Sequence, residues 1–473
     1  MNLPNHMLSA QSVQNKEPET RSSTKHITQE GVMPPHPSPH PALRGQPSKL
    51  FVEITTRCNL KCEACVKQSQ DSGIVDGDMS METFMALAPA FSHLESLVLN
   101  GIGEPLLHPR LEDFIRTAKA SMPKAGWIGF QSNGSLLTGE RARALLRAGL
   151  DRICLSLDSV SFETFRRLRE GGEVADIEHA LRRLTSAKTV TGISGLEIGI
   201  EVVLRRDTFR ELPEVLRWAA SRGVTFVIAT HLLPYDPSHV QQIAYDYNSD
   251  QARALYDPWK KKAERKGIEI HRYFDIFWPP KWFRTREEQR ILDYVRDMMR
   301  EANHKGIFFH VKNLVDQDEN LHGEITRVFN EAKAVSRDTG LILTLPEIVP
   351  KADRKCDFIE GGSAMVSWDG RVHPCYFLWH RFNCYLKRRN NQRQIDAKSF
   401  GALGIDTITD IWNNPAFKAF RQEAMRYDSS YCTNCNVAPC GFIDTREFEN
   451  DCSGVTVPCG DCFWCMGMFH CLQ

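Results

Sequence analysis

A chain of 473 residues is long enough for two or three domains with well-buried cores. Lysine plus arginine and aspartate plus glutamate both number 59, so no global basic excess points to nucleic acid or an anionic membrane. No apolar run approaches the ~20 residues needed to cross a bilayer, and residues 1–24 lack the apolar core of a signal peptide, so a cytoplasmic protein is expected. Fifteen cysteines in a reducing compartment are poor disulfide candidates, and an odd number cannot all pair internally. Metal or iron–sulfur ligation is the better expectation.

Residues 1–46 include the run His36-Pro37-Ser38-Pro39-His40-Pro41 and read as a disordered tail. Residues 47–230 alternate between two patterns. Strands are expected at 51–56, 96–100, 127–132, 152–157, 196–204 and 224–230, with amphipathic segments such as 81–91, 111–120 and 141–148 between them. Repeated strand–helix units imply parallel strands with right-handed crossovers, and six of them make an open, partial (β/α)6 barrel of the α/β class. Side-chain parity locates its interior. Ile153, Leu155 and Leu157 share one strand face, opposite Cys154, Ser156 and Asp158. Leu196, Ile198, Ile200, Val202 and Leu204 oppose Glu197, Gly199, Glu201 and Arg205, and Leu97 and Leu99 oppose Ser96 and Asn100. Parallel strands covered on both faces are apolar throughout; these are apolar on one side only. A polar, ligand-filled lumen is therefore expected in preference to a solvent-exposed sheet face.

Just past the first strand comes Cys58-Asn59-Leu60-Lys61-Cys62-Glu63-Ala64-Cys65. Three thiolates are one too few for a closed zinc site or an ordinary [4Fe–4S] cluster. A cubane held by three cysteines leaves one iron open; the competing interpretation is a zinc knuckle with a distant fourth ligand. In barrels of this kind chemistry sits at the C-terminal strand ends, where this loop falls.

The cysteine loop resembles that of the radical S-adenosylmethionine (SAM) enzymes. The resemblance implies that Cys58, Cys62 and Cys65 hold a [4Fe–4S] cluster, that SAM binds its open iron, and that reductive cleavage yields a 5′-deoxyadenosyl radical, with a low-potential electron donor as partner. After strand two, Asn100-Gly101-Ile102-Gly103-Glu104-Pro105 resembles the family's Gly-Gly-Glu-Pro element. On that match Gly101, Gly103, Glu104 and Pro105 are expected at the cofactor, with the Glu104 carboxylate on the ammonium of SAM. Asn133, in the turn after strand three, is a further cofactor candidate. Ser156 on strand four is expected at the ribose, and Arg169 at the SAM carboxylate or in a structural role. The residue before the third cysteine, aromatic in many relatives, is Ala64.

Residues 231–355 read as a mostly helical insertion. Its Trp259, Trp278-Pro279-Pro280 and Trp282-Phe283 either dock a partner or belong to a core. From 356 onward cysteines dominate. Cys356 precedes Gly370-x4-Cys375, followed by Cys432-x2-Cys435-x4-Cys440, Cys452 and Cys459-x2-Cys462-x2-Cys465-x5-Cys471. This resembles the SPASM extension of radical SAM enzymes, which implies two auxiliary [4Fe–4S] clusters. Cys356 and Cys375 are expected at the first, Cys432, Cys435 and Cys440 at the second, and the remaining ligands among Cys452, Cys459, Cys462, Cys465 and Cys471. Tandem zinc ribbons are the alternative, and Cys384 stays unassigned.

Finer matches lie in 356–363 (Cys-Asp-Phe-Ile-Glu-Gly-Gly-Ser), Trp368-Asp369-Gly370, Asp410-Ile411-Trp412-Asn413 and 451–467. They resemble radical SAM/SPASM maturases of metalloenzymes, including a branch associated with tungsten oxidoreductases. The resemblance implies modification of a protein or cofactor, with a tungsten or molybdenum oxidoreductase as partner. A peptide-modifying or sulfatase-maturing enzyme is the second reading. A non-enzymatic zinc or iron–sulfur scaffold is the third, and it leaves the Gly-Glu-Pro element and the polar lumen without a purpose.

Overall fold

The computed structural model describes residues 40–70, 72–385, 392–435, 440–443 and 448–473. Its framework is one nine-stranded sheet. Six strands come from the region where alternation was read: β1 (Lys49–Val52), β2 (Ser96–Val98), β3 (Trp127–Ser132), β4 (Arg152–Ser156), β5 (Glu197–Leu204) and β6 (Phe226–His231). They are joined by parallel ladders in chain order. The crossover helices carry their own stop and start signals. Gly139–Ala148 begins at Thr138, whose hydroxyl accepts from Arg141 N, and stops at Gly149 with φ 101°. Val174–Thr191 starts in a Glu173/Asp176 capping box and ends at Gly192 with φ 70°.

The strand faces divide as parity requires. Leu97, Leu99, Ile153, Leu155, Leu157, Ile198, Ile200, Val202 and Leu204 join the helix side chains in one outer core. The lumen has two storeys. Its lower part is apolar, built from Phe51, Val98, Cys154, Ile228 and Met365 with Phe358, Trp379 and Leu472. Polar side chains gather at the end beside the cysteine loop.

Three expectations are corrected. Residues 1–39 of the expected tail lie outside the described residues, but Pro41–Leu43 form a short 3-10 helix with Ala42 fully buried. Arg421 Nε donates to Ala42 O and Trp412 Nε1 to Arg44 O, which ties this stretch to the C-terminal region. The barrel also does not end at 230. The helix Glu319–Thr339 packs its Ile325, Phe329 and Ala332 into the outer core, and β7 (Ile342–Thr344) adds a seventh parallel strand beside β6. The insertion between has its own small core, with Leu255, Ile291, Leu292, Val295 and Met298 at its centre.

The third correction concerns the cysteine-rich region. β8 (Ser363–Val366) pairs in parallel with β1 over Lys49↔Ser363 to Val52↔Val366, and β9 (Val372–His373) pairs antiparallel with β8. Residues after 356 therefore complete the barrel sheet as well as forming their own core around Phe377, Phe382, Val457 and Phe463. Alternation could not show this, because the helix between β7 and β8, Asp357–Glu360, is a single turn and sets no period.

Candidate active site

The loop after β1 is fixed from several sides. Cys62 pairs antiparallel with Arg169, and Arg169 Nη1 stands 3.9 Å from Cys62 Sγ. Arg169 Nε donates to Asp158 Oδ2 at 2.8 Å in a pair that is nearly inaccessible to solvent, while Asp158 Oδ1 accepts from Val203 N. Burial works against the Arg169 cation, but Asp158 and Cys62 more than offset it and raise its pKa. Lys67 Nζ donates to Thr56 O at 2.7 Å, bracing the loop behind Cys65. The three thiols all open into one cavity of about 390 Å³ at the end of the barrel. Burial raises their pKa values, Cys65 to about 11. Thiols held this way become thiolates only when a cationic centre sits among them. Three donors around a cavity fit a cluster with one open position.

The Gly101–Pro105 element lies against this loop. A Cβ on Gly103 would stand 2.4 Å from Thr55 O and 2.6 Å from Arg57 O, and one on Gly101 would meet Glu53 Cγ at 2.5 Å. The glycines thus serve close packing of the β2 turn on the root of the cysteine loop. Gly103→Ala is expected to displace that root and remove about four irons per chain; iron analysis of reconstituted protein checks this. Glu104 is buried. Its Oε1 accepts from Ser132 Oγ (2.7 Å) and Leu106 N (3.0 Å), and its Oε2 from Asn133 N (2.7 Å). Burial pushes its pKa up, and those three donors oppose the shift. Pro105 opens the short 3-10 helix that Glu104 caps. Asn133 Nδ2 donates to Asn59 Oδ1 at 2.9 Å, which joins the β3 turn to the cysteine loop. Ser156 lines the cavity from β4.

Further polar side chains line the same cavity. Tyr376 Oη donates to Asn100 Oδ1, Asn100 Nδ2 to Gln131 Oε1, and Gln131 Nε2 to Glu201 Oε2. The line runs from the C-terminal region over β2 and β3 to β5. Burial, opposed by Arg169, raises the Glu201 pKa to about 7. Strand parity had already turned Asn100 and Glu201 inward. Nothing local in sequence marked Tyr376, Trp379, Trp464, Phe469 or His470, which also line the cavity.

The other cysteines separate into groups. Cys356, Cys375, Cys459, Cys462 and Cys465 surround one void, with Ile359, Phe377 and Tyr427 in its wall. Burial and the neighbouring thiols raise Cys356 to about 12 and push Cys375 and Cys459 up as well. The five are spread around a space, and among the described residues no three Cys, His, Asp or Glu side chains converge as for a single ion. Elsewhere, Cys435 N donates to Cys432 O across a short turn, Cys432 N bonds to Ser430 O, and Ser430 Oγ lies 3.0 Å from Cys452 Sγ. Cys440 follows this turn after residues 436–439, which lie outside the described residues. Cys384 is fully buried in the Phe382–Cys384 hairpin strand. Cys471 parts company with the tail cysteines with which it was grouped. It lines the barrel cavity, and its charged neighbours are Glu201, Asp357 and Lys49.

A half-open parallel barrel with a three-cysteine loop at its mouth and a cysteine-lined extension defines a radical SAM enzyme with a SPASM domain. Residues 52–219 match the radical SAM superfamily, and 356–436 match the SPASM iron–sulfur cluster-binding domain. Its cofactors are [4Fe–4S] clusters and SAM. The chain is 27% identical over 429 residues to the tungsten-containing aldehyde ferredoxin oxidoreductase cofactor-modifying protein of Pyrococcus furiosus, covering 89% of this chain and 96% of the relative. It is 28% identical over 204 residues to the pre-heme d1 synthase of Dinoroseobacter shibae, spanning 47% of that protein. Among solved structures, Streptococcus suis SuiB bound to S-adenosylmethionine aligns with TM-score 0.46 and 12% identity over 83% of this chain and 71% of SuiB. Native anSMEcpe with bound AdoMet aligns with TM-score 0.45 and 15% identity over 87% and 94%. No helix among the described residues is long and apolar enough to cross a membrane.

Proposed function

We propose that this enzyme modifies a metal cofactor, or the protein that carries it, during maturation of a tungsten- or molybdenum-type oxidoreductase in the cytoplasm. The observation that carries this reading is the near end-to-end match to the cofactor-modifying protein, which spans barrel, insertion and extension alike. Cys58, Cys62 and Cys65 would hold the first [4Fe–4S] cluster, with a low-potential protein as its electron donor. When bound there, the cluster and SAM supply a 5′-deoxyadenosyl radical, which takes hydrogen from unactivated C–H bonds. Glu104, held by three donors, keeps lone pairs for the SAM ammonium, Ser156 stands at the ribose position, and Gly101, Gly103 and Pro105 set the backbone between them. Asn133 holds the loop in register. Arg169 is already engaged by Asp158 and Cys62, which favours a positioning role over a direct hold on SAM.

Cys356 and Cys375 with two of Cys459, Cys462 and Cys465 would ligate one auxiliary cluster. Cys432, Cys435, Cys440 and Cys452 would ligate the other. The insertion offers a surface for the partner. Trp278, Trp282 and Phe283 are 81%, 81% and 74% exposed, so they are not core residues, whereas Trp259 packs edge-on against Tyr294 and belongs inside. Deleting the gene should leave the partner oxidoreductase inactive with an altered cofactor. A fully active oxidoreductase in the deletion strain would move peptide modification to the front.

A further inference from the structure

The C-terminal tail enters the barrel. His470 N donates to Thr230 Oγ1 at 3.1 Å near the end of β6. Leu472, 2% exposed, sits among the lower lumen residues Phe51, Val98, Cys154 and Ile228. Cys471 is thereby held from both sides, and it lines the same cavity as Cys58, Cys62 and Cys65. It does not border the void shared by the other five thiols. Beside it stands Glu201, whose Oε2 accepts from Gln131 Nε2 at the end of the Tyr376–Asn100–Gln131 line. Burial raises the pKa of this thiol as it does for the other cavity cysteines; what sets Cys471 apart is its place, on the tail inside the barrel cavity and away from both the Cys58–Cys65 loop and the five-thiol void.

We propose that Cys471 is a catalytic residue, the thiol that returns a hydrogen atom to a carbon-centred radical formed in this cavity. The S–H bond breaks homolytically and a C–H bond forms on the substrate, leaving a thiyl radical on Cys471. One electron from the low-potential donor that also serves the cluster, together with one proton from Glu201, restores the thiol. Because an S–H bond is weaker than an alkyl C–H bond, the transfer runs downhill. The inference rests on SAM cleavage taking place in this cavity.

The test needs no substrate. Reconstituted full-length enzyme equilibrated in D2O, with SAM and dithionite, should release 5′-deoxyadenosine carrying one deuterium in its methyl group, drawn from the exchanged thiol. In Cys471→Ser, whose O–H bond is too strong to donate, the label should fall to background while iron content stays at the wild-type level. Cys154→Ser, altering a lumen thiol outside the cavity lining, should keep the label. Equal label in Cys471→Ser, or loss of about four irons from that variant, would overturn the proposal. Absence of 5′-deoxyadenosine from the wild type would overturn the SAM-cleavage reading, and this proposal with it.

Discussion

Replacing Cys58, Cys62 and Cys65 together with alanine is expected to abolish formation of 5′-deoxyadenosine and methionine from SAM. The measurement is product analysis after anaerobic reconstitution with a low-potential reductant. The loss should be complete rather than partial, because these thiols are the only cysteines on the loop that borders the Glu104 and Ser156 wall, and no substitute ligand lies on that loop. About four irons per chain should go with them, leaving those of the C-terminal region in place. The fold should persist, since all three are only half-buried and the loop is held by Lys67, Glu63 and Asn59 as well. Unchanged SAM cleavage in the triple variant would remove the radical SAM assignment of this loop.

The second large effect is expected at the five-thiol void. Wild-type protein should carry about twelve irons, from three four-iron clusters. Cys356→Ser with Cys375→Ser should leave about eight, because two of the four ligands of one cubane are lost from different walls of the void and only Cys459, Cys462 and Cys465 stay. Point substitution is the right instrument here. A truncation at residue 350 would also remove β8, and with it the parallel partner of β1 and the lower lumen residue Met365. Stoichiometric zinc with undiminished iron in the double variant would favour the ribbon reading.

The cysteine loop, the Gly101–Pro105 turn and the inward face of β5 were legible in sequence because each is a local pattern. Ligand spacing, a turn that needs glycine and strand parity all act over fewer than ten residues. Residues whose placement depends on tertiary routing were not. The helix Glu319–Thr339 has an ordinary amphipathic period, which says that it packs on something but not that its partner is Leu212–Ala220 of the barrel. Cys471 shows the limit most clearly. Its x5 spacing from Cys465 grouped it with the metal ligands, and only the path of the tail sets it beside Glu201. A polar, ligand-filled lumen was expected, and its lower storey is filled by Phe358, Trp379 and Leu472 from a region whose return to the barrel no periodicity announces.

The pairing of β8 with β1 bears on how the molecule is made. Ser48 Oγ donates to Gly361 O across 313 residues of chain, so the first barrel strand meets its outer neighbour only after most of the protein has left the ribosome. Until then one flank of β1 is an unpaired edge, the kind of surface that recruits other chains. Contacts so distant along the chain slow the search for the native state. Nascent protein should accordingly be most prone to aggregate during this interval, and the root of the cysteine loop should settle among the last parts of the barrel.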